Sequence, residues 1–100
     1  MGYRVTLSAT AERDLEQIVR FLALKNVRAA ERLGFALIKT SFSLSNFPHR
    51  GMMVRVRFRL RRIFRRPCFL IFYRIEGERW LVEIARMWDS RRDPDSLVLS

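Results

Sequence analysis

Residues that commonly do chemistry are scarce in this chain. It holds one cysteine, one histidine, four glycines and three prolines. A lone Cys68 excludes an intramolecular disulfide. Its place in the apolar run Cys68-Phe69-Leu70-Ile71-Phe72-Tyr73 marks it as a buried, inert thiol. One cysteine and one histidine do not make a zinc site, so no metal is expected. The glycines form neither a phosphate-cradling loop nor a GxSxG elbow, which removes those nucleotide-binding and hydrolase chemistries and implies no cofactor. His49 stands in a Pro-His-Arg-Gly loop beside positive charge, where a solvated side chain is the expectation rather than a general base. No apolar stretch approaches the roughly 20 residues needed to span a bilayer. The start, Met1 to Leu7, lacks the apolar region of a signal peptide. A cytoplasmic protein without membrane contact is therefore expected, as a single domain over residues 1–100. There is no internal repeat and no flexible linker.

Negative charge is also missing from the middle of the chain. No Asp or Glu occurs between Arg32 and Ile75. The whole carries 20 basic residues, 18 of them arginine, against 10 acidic ones, a formal net charge of +10. Such a surplus repels itself when folded and answers to an anionic partner. Arginine in place of lysine favours bidentate contact with carboxylate or phosphate and stacking on aromatic rings. Hydrophobic residues reach 49% and aromatic residues 12%, enough for a compact core and too many for a disordered chain.

Periodicity orders the elements. Tyr3, Val5 and Leu7 alternate with Arg4 and Thr6, which predicts a short half-buried strand. Ser8 or Thr10 then caps a helix. Glu12, Asp14 and Glu16 follow, where carboxylates suit the positive end of the helix dipole. Leu15, Ile18, Val19 and Leu22 make one apolar stripe, and this helix ends near Lys25. Asn26 caps a second helix, roughly Val27 to Ser45, whose apolar face carries Ala30, Leu33, Leu37 and Leu44. Gly34 admits a close neighbour, and Pro48 stops the helix. The joint at Asn26 is short, so the helices form a hairpin.

Phe47 to Gly51 reads as a loop. From Val54 to Arg61 the alternation is complete, with Val54, Val56, Phe58 and Leu60 facing a core and Arg55, Arg57, Arg59 and Arg61 facing away. Arg65-Arg66-Pro67 breaks the pattern. The continuous apolar run from Cys68 to Ile75 predicts a central strand covered on both faces. Glu76-Gly77-Glu78 reads as a hairpin turn with glycine supplying positive φ. Trp80 to Met87 is the returning strand, and the polar tail contains Leu97-Val98-Leu99, which can pack back. The fold class is α+β in the order β-α-α-β-β-β, a helical hairpin packed on a small, mostly antiparallel sheet.

The arginines from Arg50 to Arg66 are the strongest local signal. On one strand alternate residues stand about 7 Å apart, which makes a ridge. Each like-charge pair there costs on the order of 1 kcal/mol when poorly screened, so the row points to an anionic partner rather than to a merely solvated face. Glu83 lies on the polar side of its strand, as an ion-pair partner for an arginine or, alternatively, a base. Trp88, Asp89, Arg91, Arg92 and Asp93 form a charged segment past the last strand.

Several segments together resemble a known family. They are Leu7-Ser8-Ala9-Thr10-Ala11-Glu12-Arg13-Asp14-Leu15-Glu16-Gln17-Ile18, Asn26 to Gly34, and Pro48-His49-Arg50-Gly51. Phe69-Leu70-Ile71-Phe72-Tyr73-Arg74-Ile75 and Ile84-Ala85-Arg86-Met87-Trp88 with Arg91-Arg92-Asp93-Pro94 complete the set. Each motif is weak alone, but in this order and over nearly the whole chain they are similar to the RelE/ParE toxins of bacterial toxin–antitoxin pairs. The resemblance implies the β-α-α-β-β-β fold and a cognate antitoxin whose acidic, partly disordered C-terminal part wraps the toxin as a hetero-oligomer. RelE-like members cut messenger RNA in the ribosome. ParE-like members are not nucleases and trap DNA gyrase on cleaved DNA.

Phe69 stands where RelE-like nucleases usually carry an arginine, and their His or Tyr of the closing segment is missing. Asp89 also departs from the His of many ParE-like chains. The long second helix and the Arg-Arg-Asp-Pro ending resemble ParE. The ParE-like reading therefore ranks first, with Arg86, Trp88, Arg91 and Arg92 contacting gyrase or its DNA. Arg55, Arg57 and Arg59 would meet antitoxin carboxylates, and Leu15, Ile18 and Leu22 an antitoxin helix. Under the ribonuclease alternative Glu83, Arg86 and Arg61 would form the active site. A further alternative is a non-catalytic module that holds nucleic acid on the arginine ridge and loses affinity steeply with salt.

Overall fold

The structure is a computed structural model that describes residues 2–54 and 57–99, the side chains of residues 57 and 58 excepted. The N-terminal strand β1 (Arg4–Leu7) leads into helix α1 (Ala9–Ala23) and helix α2 (Val27–Phe42). Strands β2 (Met52–Val54), β3 (Arg57–Arg65), β4 (Phe69–Glu76) and β5 (Leu81–Asp89) follow. Among the described residues they form one sheet in the order β1-β5-β4-β3-β2. β1 lies parallel to β5, and the remaining pairs are antiparallel. The α+β class holds, with one strand more than the sequence pattern suggests.

Both helix starts are where side-chain chemistry puts them. The Ser8 hydroxyl accepts from Ala11 N at 3.1 Å, and Asn26 Oδ1 accepts from Ala29 N at 3.0 Å. Each satisfies a backbone donor that the first helical turn leaves unpaired. The helices pack tightly where α2 passes α1, since a Cβ on Gly34 would stand 3.2 Å from Val19 Cγ2. Ala11, Leu37 and Leu44 bury themselves against Ile71, Tyr73, Val82, Ile84 and Met87 of the central strands. Leu15, Ile18 and Leu33 are half-buried against the same cluster. The apolar run of β4 occupies the middle of the sheet, but the helices cover only one of its faces, contrary to the expectation of a strand covered on both.

Three further local expectations are corrected. The alternating run from Val54 to Arg61 is not one strand. The chain reverses within it, so that Val54 stands opposite Arg57 and Met53 opposite Arg61. Residues 55 and 56 lie outside the described residues. Period-two alternation continues through both arms, and no Gly, Pro or Asn marks the reversal, so the pattern carries no sign of it. At the β4–β5 turn Gly77 does not take positive φ; Trp80 does, at φ 50°. Its ring packs against Tyr3 with centroids 5.1 Å apart. Strand β5 also runs past Met87 to Asp89, which makes Trp88 a strand residue.

Cross-strand neighbours share a face of a sheet. Tyr73, Ile71 and Phe69 of β4 face the helices, together with Arg61, Ile63 and Arg65, their partners on β3. The opposite face carries Arg74, Phe72 and Leu70, with Leu60, Arg62 and Phe64 beside them. Phe72 and Leu60 are buried there. Phe72 has Arg62 on one side and Arg86 on the other, whose aliphatic stems can cover it. No helix among the described residues is long and apolar enough to cross a membrane.

Candidate functional site

The site grows from an unequal pairing of strands. β1 ends at Leu7, opposite Ile84, while β5 continues to Asp89. The second half of β5 therefore has no neighbouring strand on that side, and its edge groups need other partners. Side chains from the start of α1 supply them. Ser8 Oγ, besides capping the helix, donates to Ala85 O at 3.0 Å. Asp14 Oδ2 accepts from Met87 N at 3.0 Å.

Asp14 also holds Arg86. Arg86 Nε donates to Asp14 Oδ2 at 2.7 Å, and its NH2 to Oδ1 at 3.0 Å. The two side chains are 16% and 10% exposed, so water screens this fork poorly. β5 is bulged beside this fork. The register slips between Phe72 and Tyr73, leaving Ala85 as an extra residue, so Arg86 joins Glu83 on the face away from the helices. Simple alternation would have turned Arg86 towards the core with Ile84.

From Arg86 the contacts run outward into the closing segment. Its remaining nitrogen, NH1, donates to Val98 O at 3.0 Å, which ties down the tail. The guanidinium lies 5.6 Å from the Trp88 ring, and that of Arg92 lies 4.4 Å from the same ring. Trp88 is only 3% exposed. Arg91 forks onto Asp89 at 3.0 and 2.8 Å. The Arg91 hydrogen bonds are the largest cause holding the Asp89 carboxyl down at about 2. Cys68 borders this pair; burial first, and then its hydrogen bond to Asp89, push the thiol above its usual value.

A second basic surface lies at the other end of β4. Arg59, Arg61 and Arg74 line a concavity of about 430 Å³ with His49, Met53, Tyr3, Ile75 and one carboxylate, Glu76. Arg61 NH1 donates to the carbonyls of Gly51 and His49 at 2.9 and 3.1 Å. The loop carrying those carbonyls is fastened by Tyr73, whose hydroxyl donates to Pro48 O at 2.6 Å and accepts from Gly51 N at 3.0 Å. Burial raises the Tyr73 pKa, which keeps the bridge in its neutral form. A Cβ on Gly51 would collide with the Tyr73 hydroxyl and stand 2.8 Å from Arg62 O, so only glycine fits. Arg74 pairs with Glu83 at 3.3 Å, the ion pair expected of that carboxylate.

The sequence-derived site residues thus fall into separate groups. Arg86, Trp88 and Arg92 come together in one stack, with Arg91 beside it on Asp89. Glu83 and Arg86 share a face, while Arg61 lies on the other with Tyr73. Arg59 belongs to the basic concavity. Arg55 and the Arg57 side chain lie outside what the structure describes. Leu15 and Ile18 turn inward to the core, and Leu22 is half-buried. The apolar side chains that the hairpin exposes are instead Phe21, Leu24, Val27, Phe35 and Phe42. Asp14 is the residue that sequence reading misplaced, as a dipole-compensating carboxylate. A signal was available, because it stands three residues from Ala11 and four from Ile18, on the flank of the buried stripe. A carboxylate there needs a buried partner. Among the described residues no group of His, Cys, Asp and Glu is arranged to hold a metal ion.

A helical hairpin on one face of a small, basic, mostly antiparallel sheet is the architecture of a class of bacterial toxins, and comparison with known proteins agrees. The model of the ParE toxin of the type II toxin–antitoxin system parDE matches residues 5–94. Toxin RelE1 of Caulobacter vibrioides is 34% identical over 89 residues, which cover 88% of this chain and 94% of that protein. A chain of the toxin–antitoxin complex RelBE2 from Mycobacterium tuberculosis superposes with a TM-score of 0.71 at 27% identity, covering 89% of this chain and 92% of that one. A chain of the chromosomal ParDE system of P. aeruginosa shares the fold, with a TM-score of 0.69 at 18% identity over 85% of this chain and 92% of its own. The chain belongs to the ParE toxin family of type II toxin–antitoxin systems, within the wider RelE/ParE superfamily.

Proposed function

We propose that this toxin poisons DNA gyrase by trapping it on cleaved DNA, and that a cognate acidic antitoxin silences it. The observation that carries the gyrase reading is the commitment of all three nuclease candidates to structural partners. Arg86 is forked on Asp14, Arg61 bonds two backbone carbonyls, and Glu83 is paired with Arg74. Cutting RNA by proton transfer needs a side chain free to take or give a proton at neutral pH. Arginine has no acceptor, and Glu83 Oε1 already accepts from Arg74 NH1 at 3.3 Å. In the closing segment Arg86 and Trp88 are the support, and the exposed Arg91 and Arg92 are the contacts for the target. The match to the ParE model over residues 5–94 points the same way.

The antitoxin reading rests on charge and on exposed apolar surface. Phe21, Leu24, Val27, Phe35 and Phe42 leave the outside of the helical hairpin greasy, and the chain carries a net charge of +10. An acidic amphipathic helix would cover the first and its flanking chain would neutralise the second, at Arg55, Arg57 and Arg59. Two solved structural neighbours are toxin–antitoxin systems.

The ribonuclease reading remains the second, because one similar protein is named Toxin RelE1 and one solved neighbour is a RelBE complex. Induced expression in bacterial cells separates the two. A gyrase poison raises the DNA-damage response while amino-acid incorporation continues. Immediate arrest of incorporation, with messenger RNA cut and no damage response, would favour the ribonuclease.

A further inference from the structure

Asp14 is the point where the helical hairpin meets the closing segment. Its carboxylate accepts three hydrogen bonds, one from Met87 N and two from Arg86. It is 9% exposed. Every nitrogen of the Arg86 side chain is occupied as a result, Nε and NH2 by Asp14 and NH1 by Val98 O. Three contacts hold the guanidinium in place, 5.6 Å from the centre of the Trp88 ring, and the Arg92 guanidinium lies 4.4 Å from the same ring. Sequence places Asp14 in the first helix, 72 residues from Arg86. The fold thus uses one α1 carboxylate to orient side chains at the far end of the chain.

We propose that Asp14 is a positioning residue for toxicity: through Arg86 it holds Trp88, Arg92 and the tail at Val98 in the arrangement presented to the target. The link to toxicity rests on the gyrase reading above; the link to the tail does not. Cutting the fork frees Arg86 NH1 from its fixed angle, and the tail loses the hydrogen bond at Val98. The Arg86–Trp88 contact then loses its fixed geometry. The same residue joins the target-facing segment to the helix whose outer side the antitoxin would cover, so a partner that tilts α1 pulls on Arg86 as well.

The test uses full-length Asp14→Asn. An asparagine oxygen still accepts from Met87 N, so the edge of β5 stays satisfied while the charged fork is lost. Backbone NMR then reads two regions separately. The expected result is unchanged amide protection at Ile71 and Tyr73, loss of order at Leu97 to Leu99, and a fall of roughly tenfold or more in gyrase-dependent DNA cleavage. A tail as ordered as in the wild type would overturn the proposal. So would protection that falls equally in core and tail, since Asp14 would then be only a folding residue. Should Asp14→Asn fail to fold, Arg86→Lys is the second variant. It keeps the charge but cannot hold the fork and Val98 together, and it must loosen the tail in the same way or the proposal fails. If the wild type leaves gyrase untouched, the gyrase reading falls alone, and tail order in the variants still decides the positioning role.

Discussion

Asp89 shows how a single carboxylate responds to its neighbours. Its carboxyl is lowered from 3.8 to about 2, chiefly by hydrogen bonds from Arg91. A depressed folded pKa contributes stability above the unfolded value and loses it as pH falls through the folded one. The contribution is therefore complete above about pH 4 and disappears towards pH 2. Arg91 is 73% exposed at its side chain, so solvent screening holds the effect to about 1 kcal/mol at most. Asp89→Asn should lower stability by about that amount at pH 7 and make no difference near pH 2. Urea unfolding at both pH values measures it. An equal deficit at both would mean that packing, not ionisation, is what Asp89 provides.

Elements here are joined by side chains that serve two of them at once. Ser8 is the clearest case, capping α1 and closing the edge of β5 at Ala85. Ser8→Ala leaves both a helix donor and a strand carbonyl without partners, and should cost about 1–2 kcal/mol. Urea unfolding that shows a loss of only a few tenths would mean that water replaces the hydroxyl at both places. The cap was legible as one of two candidates, Ser8 or Thr10, ahead of an apolar stripe. Its second bond was not, since no local pattern says that β1 stops short of the end of β5. The same holds for the β2–β3 reversal, where alternation runs on through the turn, and for the Ala85 bulge, which moves Arg86 to the other face. Period, caps and the apolar run of β4 gave the helices, the central strand and the α+β class. The Asp14–Arg86 fork joins residues 72 apart, a separation that no local pattern spans.

For the whole molecule the governing quantity is a net charge of +10 on 100 residues. The fold retains the arginine-rich surface but divides it, with a concavity at Arg59, Arg61 and Arg74 and a separate stack at Arg86, Trp88 and Arg92. Changing Arg55, Arg57 and Arg59 together to Glu should weaken the antitoxin complex by about a hundredfold and flatten its salt dependence, because like charges would face each other across the interface. Titration of the antitoxin at two salt concentrations reads both effects, and an unchanged affinity would remove these arginines from the antitoxin surface.

Purified toxin added to DNA gyrase and supercoiled plasmid, beside a translation extract scored for cuts in messenger RNA, tests the central claim directly. Inhibited supercoiling with accumulating cleaved DNA, and intact messenger RNA, is the predicted result. Cut messenger RNA with gyrase unaffected would contradict it and make Glu83, Arg86 and Arg61 the residues to pursue.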